Sequence, residues 1–277
     1  VMIPPTLTRV AKSRPCVVCG KPNWCMAATD GTEAICCRVE SDHPVPGLLG
    51  WRHPMNGTPI ATARVVYSQW KSPQASPEMA RLTMKYTDAL GEGQLEQHAK
   101  SLGVSEAALS MLACGWSRKH QAYTFPMRDH RQQIIGIRLR NYEGKKWAID
   151  GSNNGLFMAE FDDPMNPILV CEGPTDTAAM LDLGFDAIGR SSCRGEVEML
   201  VQFAKSHSRD WVIVSDIDGP GVDGAAQLTA KLIPHVRSVR VIRPLRGKDA
   251  REWVCKGATR ETVEAVIESV TPARRKA

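Results

Sequence analysis

Two stretches of the chain decide its fold, "ILVCEGPTD" at residues 168–176 and "WVIVSDIDGPGVDGA" at residues 211–225. Each begins as a continuous apolar run, typical of a fully buried strand, and then passes through carboxylates into a turn rich in Gly and Pro. Outward from them, apolar strands alternate with amphipathic helices from residue 167 to residue 277. This rhythm predicts an α/β domain, with a Rossmann-like, mostly parallel sheet covered by helices on both faces.

Carboxylates occupy the predicted ends of two strands in this domain. Glu172 and Asp176 flank the first turn, and a strand period of two points Asp216 and Asp218 the same way. Ligands bind at the carboxyl ends of parallel strands, and clustered carboxylates repel one another unless a divalent cation joins them. The pattern therefore favours a Mg²⁺ or Mn²⁺ site, the alternative being ordinary turn and helix-cap residues.

The preceding part, residues 77–166, combines helices with a basic sheet. Ser76-Pro77-Glu78 announces a first helix, Gly103 ends a second and Ser105 caps a third. Strand texture follows from Tyr123 to Trp147, with two acidic and eight basic residues between 118 and 147. The eight are Arg118, Lys119, Arg128, Arg131, Arg138, Arg140, Lys145 and Lys146. Such a cluster suits the phosphates of a nucleic acid or nucleotide, although a charge run can also be a solvated face.

The N-terminal residues 1–53 hold five of the nine cysteines and little apolar periodicity. Cys16-Val17-Val18-Cys19-Gly20 forms a Cys-x2-Cys-Gly knuckle, which suits a tetrahedral zinc ion and predicts a small zinc-ribbon-like module. Two further ligands must come from Cys25, Cys36, Cys37 and His43; adjacent cysteines normally point apart, so one of Cys36 and Cys37 is spare. Residues 54–76, rich in Ser, Thr, Ala and Pro, form a predicted linker.

Net charge and hydropathy limit the kinds of partner and the cellular location expected for the protein. The formal net charge of +5 and pI near 8.7 permit a polyanionic partner without requiring one. Neither a long apolar run nor a signal-peptide pattern is present in the sequence. We therefore expect a cytoplasmic protein that does not enter a membrane.

The two deciding stretches resemble the Toprim domain of bacterial primases, topoisomerases, some nucleases and recombination mediators. The segments "FPMRDHRQQIIGIRLR" (125–140) and "GKKWAIDGSNNGLF" (144–157) resemble the basic sheet that precedes Toprim in primases. Residues 16–41, "CVVCGKPNWCMAATDGTEAICCRVES", resemble the zinc-binding starts of primases encoded by phages and mobile elements. Taken together, they imply a DNA primase that makes short primers on single-stranded DNA from nucleoside triphosphates.

The resemblance also implies roles for individual residues. Glu172 would be the acid/base carboxylate, Asp216 and Asp218 would ligate magnesium, and Asp176 would support them, with Asp249 as a further acid near the metals. The residues implied to bind template or nucleotide are Arg128, Arg138, Arg140, Lys145, Lys146 and Lys248. The implied zinc ligands are Cys16, Cys19, Cys25 and Cys36, although this spacing differs from that of cellular primases.

Two other functions use similar parts. A Toprim nuclease would attack with water instead of a 3′-hydroxyl, and a zinc and Toprim recombination mediator would bind DNA without cutting it. The basic sheet argues against both. The ATP-binding pattern Gly-x4-Gly-Lys-Ser/Thr is missing from the sequence, so a replicative helicase would have to be a separate partner chain.

Overall fold

The computed structural model describes residues 6–45, 50–55, 72–161, 163–192, 195–217 and 219–274. The chain divides into two compact units, residues 1–70 and 71–277. Most of the predicted linker lies outside the described residues, as does Asp218. Among the described residues, no helix is both long and apolar enough to cross a membrane.

The N-terminal unit is built on a small antiparallel sheet with strand order β1-β2-β3-β4. Its strands are Leu7–Arg9 (β1), Met26–Ala28 (β2), Glu33–Cys36 (β3) and Trp51–Pro54 (β4). Cysteines make up half of its buried apolar cluster, in which Val10, Ala27 and Ala34 pack with Cys16, Cys25 and Cys36. Such a core is too small to hold the sheet by apolar burial alone, and the zinc-ribbon-like character predicted for this unit is confirmed.

The second unit begins with three helices whose caps agree with the sequence. They are Pro77–Asp88 (α1), Glu92–Leu102 (α2) and Glu106–Met111 (α3). Ser76 accepts a hydrogen bond from the Met79 N–H and Ser105 accepts one from the Ala108 N–H, at 3.3 and 3.0 Å. Gly103 ends α2 with a φ of +69°. Helix α1 ends at Asp88, and Gly91 is the N-cap of α2.

An antiparallel sheet of order β5-β6-β7-β8 follows these helices, as predicted. Its strands are Gly115–Ser117 (β5), Ala122–Arg128 (β6), Ile134–Arg140 (β7) and Lys146–Ala148 (β8). Buried Asp129 organises the turn between β6 and β7 by accepting from the N–H groups of Arg131 and Gln133 at 2.8 and 2.9 Å. On β7, Arg138 and Arg140 are half-buried and flank the buried Leu139, so they share one face.

The remaining elements form a five-stranded sheet of order β13-β12-β10-β11-β9. Its strands are Phe157–Met158 (β9), Ile168–Glu172 (β10), Asp186–Arg190 (β11), Asp210–Val214 (β12) and Ser238–Ile242 (β13). The helices are Gly173–Asp182 (α4), Val197–Ala204 (α5), Gly219–Leu232 (α6), Ala250–Cys255 (α7) and Arg260–Ser269 (α8). All pairings are parallel except that of β9 with β11. Apolar clusters cover both faces of this sheet, so the α/β architecture is confirmed.

Two details of this sheet differ from expectation. Strand β9 comes from the segment 77–166, which was assigned to the preceding part, because a strand of two residues has no readable periodicity. Strand β12 ends at Val214, so the period of two does not extend to Asp216. The orientation of the Asp216 side chain is therefore set by the following loop.

Candidate active site

The carboxyl edge of β10 turns sharply into helix α4. Glu172 is the last residue of the strand, and Gly173 makes the turn with a φ of +80°, which favours glycine. Asp176 follows in the first turn of α4 and is buried. Its Oδ1 atom accepts a hydrogen bond of 3.0 Å from the Arg251 N–H, so α4 is tied to α7 at this point.

Asp249 is brought next to this turn as the N-cap of α7. Its Oδ1 atom accepts a hydrogen bond of 2.7 Å from the Glu252 N–H. Burial and the negative charge of Asp249 raise the pKa of Asp176 to about 7, against the lowering influence of Arg251 and Lys146. The two carboxylates are therefore close enough to repel each other, as expected at a cation site.

Asp216 reaches the same edge from the loop after β12. The Ser215 N–H donates to the Ile242 carbonyl at 3.0 Å, and the Ile217 N–H donates to the Lys248 carbonyl at 3.3 Å, which fixes the backbone on both sides. The buried Cys171 thiol lies near all three carboxylates. Burial raises its pKa, and the negative charges of Asp176, Asp216 and Glu172 raise it further. Three predicted carboxylates thus surround the end of one strand.

Two predicted basic residues face these acids from the antiparallel sheet. Arg140 and Lys146 are partners across β7 and β8. Burial lowers the pKa of both side chains, whereas Asp176 and Asp249 raise it. The site therefore joins the acidic edge of one sheet to the basic edge of the other.

The other predicted basic residues lie in different surroundings. Arg138 donates to Asn154 Oδ1 at 3.4 Å, and its charge partly offsets the burial that raises the pKa of Glu196. Lys145 places its Nζ 5.7 Å from the ring centre of Trp147. The exposed Lys248 forms a 3.3 Å ion pair with Glu252.

Arg128 lies at the opposite end of the antiparallel sheet. Its Nη1 atom donates to the Gln132 carbonyl at 3.0 Å. Tyr123, the strand partner of Arg140, precedes Arg128 by five residues on β6, a distance of roughly 17 Å. The structure therefore does not bring Arg128 to the acidic cluster.

Arg251 belongs to the acidic edge of the site, and the sequence analysis did not identify it. Besides its backbone bond to Asp176, its Nη1 atom donates to the Leu102 carbonyl at 3.0 Å, which joins α7 to the end of α2. Asp249 as a helix N-cap would have placed Arg251 in the first turn of α7, beside the acids. That capping pattern is the signal that could have found it.

The predicted zinc ligands converge in the N-terminal unit. The Sγ atoms of Cys16, Cys19, Cys25 and Cys36 all lie within 4.8 Å of one another. Cys25 Sγ is 3.7 Å from that of Cys19 and 3.9 Å from that of Cys36, close to the roughly 3.8 Å expected between thiolates on one tetrahedral zinc ion. The donor set and spacing therefore fit zinc.

Backbone and side-chain donors surround these thiols. The N–H groups of Arg38 and Val39 point at Cys36 Sγ from 3.4 and 3.3 Å. Burial raises the pKa of Cys19, but hydrogen bonds from the Lys21 backbone, Cys16, Arg38 and Cys25 lower it to about 6. Cys37 Sγ lies 3.6 Å from Cys25 Sγ, although Cys37 does not belong to the mutually clustered four.

Comparison with solved structures identifies the fold. The DnaG catalytic core superposes with a TM-score of 0.57 at 19% identity, covering 70% of this chain and 79% of that one. The E. coli primase catalytic core gives 0.52 at 17% identity, covering 70% and 79%. The zinc-binding and RNA polymerase domains of Aquifex aeolicus primase give 0.55 at 16% identity, covering 70% and 60%.

These similarities show that the chain has the fold of bacterial primase catalytic cores, as its resemblance to Toprim primases implied. No protein-family model matches the sequence, and comparison with curated proteins gives no match. The assignment of fold therefore depends on three-dimensional structure rather than on close relatives.

Proposed function

We propose that the protein is a DNA primase, which synthesises short primers on single-stranded DNA by magnesium-dependent nucleotidyl transfer. One observation carries this proposal: Arg140 and Lys146 of the basic sheet face Asp176 and Asp249 at the acidic edge of the parallel sheet. A carboxylate cluster alone suits several phosphodiester reactions. A facing pair of cations adds a place for triphosphate or template phosphates beside the cluster.

The carboxylate oxygens fit a hard divalent cation. Glu172, Asp176 and Asp216 all act on one buried thiol, so their charges are concentrated within a small volume. Asp216 would hold magnesium or manganese, and Asp218, which lies outside the described residues, is a further proposed ligand. When bound, such ions would lower the pKa of the attacking 3′-hydroxyl and would stabilise the negative charge on the departing pyrophosphate.

The side chains of the chain itself supply positioning and proton transfer. Arg140 and Lys146 would bind phosphate oxygens of the incoming nucleotide and hold them against the acidic edge. Glu172 would accept the proton of the attacking 3′-hydroxyl. Asp176, whose Oδ1 atom is bonded to the α7 backbone, and the N-cap Asp249 would keep the two elements aligned.

Ligands of proteins with the same fold support this assignment. A DnaG catalytic domain of this fold was solved bound to single-stranded DNA, with a TM-score of 0.57 at 19% identity. Primase domains of bacteriophage T7 gp4, with a TM-score of 0.51 at 16% identity, were solved in a complex that contains the T7 lagging-strand DNA polymerase, an RNA/DNA hybrid and dTTP. We infer the same classes of ligand here, and a separate helicase stays a prediction.

A single assay tests the proposal. The full chain is incubated with mixed single-stranded templates, labelled nucleotides and Mg²⁺ or Mn²⁺, and template-dependent short oligomers are expected. Asp216→Asn should abolish synthesis without loss of fold. Asp210→Asn serves as the control, because Asp210 lies at the amino-terminal end of β12, away from the acidic cluster. Cleaved DNA would indicate a nuclease, and DNA bound without reaction would indicate a binding mediator; either result overturns the primase proposal.

A further inference from the structure

Arg190 places a buried positive charge at the carboxyl edge of the parallel sheet. It is the last residue of β11, and only 2% of its surface is exposed. Removing a guanidinium from water is costly unless opposite charges and hydrogen-bond acceptors surround it. Its position therefore requires carboxylates close by.

Glu172 is the first such carboxylate. Strands β10 and β11 are parallel, and Glu172 is the register partner of Arg190. Partners on neighbouring strands project to the same face with Cβ atoms roughly 5 Å apart. The preceding partners, Val170 and Ile188, are both buried in the same apolar cluster, which confirms that the two strands share this face.

Glu196 provides a second negative charge near Arg190. Its carboxylate accepts hydrogen bonds from the Ser191 N–H and Oγ at 2.9 and 2.7 Å, and its own φ is +54°, unusual for a residue with a side chain. Burial raises the pKa of Glu196, although the hydrogen bonds from Ser191 and the charges of Arg190 and Arg138 oppose this increase. Arg190 thus has a second acidic side chain close by.

We propose that Arg190 is a positioning residue, which holds the Glu172 carboxylate at the site of nucleotidyl transfer. Glu196 would hold Arg190 in place through its hydrogen bonds to the next residue, Ser191. This assignment rests on the proposed primase function. Glu172 ends β10 directly before the left-handed Gly173, so its carboxylate lies where the strand turns into α4. Through its two Nη atoms, the planar guanidinium can fix a carboxylate by two parallel hydrogen bonds, which an ammonium group cannot reproduce.

The kinetic test compares Arg190→Gln, Arg190→Lys and a matched control. Arg237→Gln serves as control, because Arg237 is exposed and forms a 3.3 Å ion pair with Asp210 at the other edge of the sheet. Arg190→Gln should lower kcat for primer synthesis on the order of 10-fold, with the nucleotide KM and template affinity unchanged. Arg190→Lys should recover part of the loss, and Arg237→Gln should resemble the parent protein.

A thermodynamic cycle tests the same pair without any enzymatic reaction. Urea unfolding is measured for Glu172→Gln, Arg190→Gln and the double variant, and the two changes should be non-additive. Additive changes, or a kcat equal to that of the parent, would overturn the positioning role. If Arg190→Gln does not fold, Arg190→Lys replaces it in both measurements with the same criteria. The cycle measures only unfolding, so it would still show whether Glu172 and Arg190 interact if the protein proved not to be a primase.

Discussion

Arg140 and Arg128 look equivalent in the sequence, since both lie in the basic segment that resembles primases. The structure separates them by roughly 17 Å along the strands, because β6 and β7 run antiparallel and place them at opposite ends. Arg140 is beside Asp176 and Asp249, whereas the charge near Arg128 is that of Glu160. One phosphate group cannot contact both residues, but an extended single strand of DNA can.

Replacing each arginine by glutamine should therefore affect a different quantity, kcat in one case and template affinity in the other. Arg140→Gln should lower kcat roughly 100-fold, because it removes a charge next to the reacting groups. Arg128→Gln should weaken template affinity, reduce its salt dependence by about one ion and leave kcat at saturating template nearly unchanged. Primer synthesis and fluorescence anisotropy at several salt concentrations measure the two effects.

Lys205→Gln is the control for these variants, because Lys205 is exposed and its Nζ atom bonds Gln202 within the α5 region. Equal effects of Arg140→Gln and Arg128→Gln on kcat would contradict the separation. The resemblance to the basic sheet of primases implied the same role for both residues. Only the direction of the strands distinguishes them, and that direction is a property of the folded sheet.

Among the elements, helix α2 carries a buried histidine under the basic edge. His98 is 4% exposed and stacks on Tyr123 with ring centres 3.4 Å apart and planes inclined by 5°. Its Nε2 atom has no hydrogen-bond partner among the described residues. Burial, together with the positive charge of Arg140, lowers the pKa of His98 to about 4, so the ring is neutral in the folded protein near pH 7.

This lowered pKa makes the stability of the second unit depend on pH. Between the unfolded value near 6.5 and the folded value of about 4, the unfolded chain binds more protons, so stability falls as the pH falls. His98→Phe keeps a stacked ring without a titrating group. Relative to this variant, the parent protein should lose roughly 3 kcal/mol between pH 7 and pH 4. Urea unfolding at both pH values measures the difference, and a constant difference would contradict the assignment.

Helix ends were the most predictable parts of the fold, because caps are local. Ser76, Gly103 and Ser105 act as the sequence indicated, since each satisfies backbone groups within a few residues. The two-residue β9 and the register of Glu172 with Arg190 depend on contacts between distant segments. For that reason the acidic edge was visible in the sequence, whereas its buried arginine was not.

At the scale of the whole molecule, the two units hold their structure by different means. The second unit has apolar clusters on both faces of a five-stranded sheet. Among its described residues, the N-terminal unit has one small apolar cluster of six buried residues, and three of these belong to the cysteine cluster. Zinc should therefore supply much of the folding free energy of residues 1–70 and little of that of residues 71–277.

Removal of zinc by a chelator should unfold the N-terminal sheet selectively in the full chain. Hydrogen exchange should accelerate in β2 and β3, while the thermal transition of the second unit stays in place. Cys36→Ser should lose the metal, whereas Cys37→Ser should keep it, because Arg38 and Val39 direct their N–H groups at the Cys36 thiol. Metal loss from Cys37→Ser but not Cys36→Ser would reverse the ligand assignment. A shifted second transition would show that zinc stabilises both units, and the division of stability proposed here would be wrong.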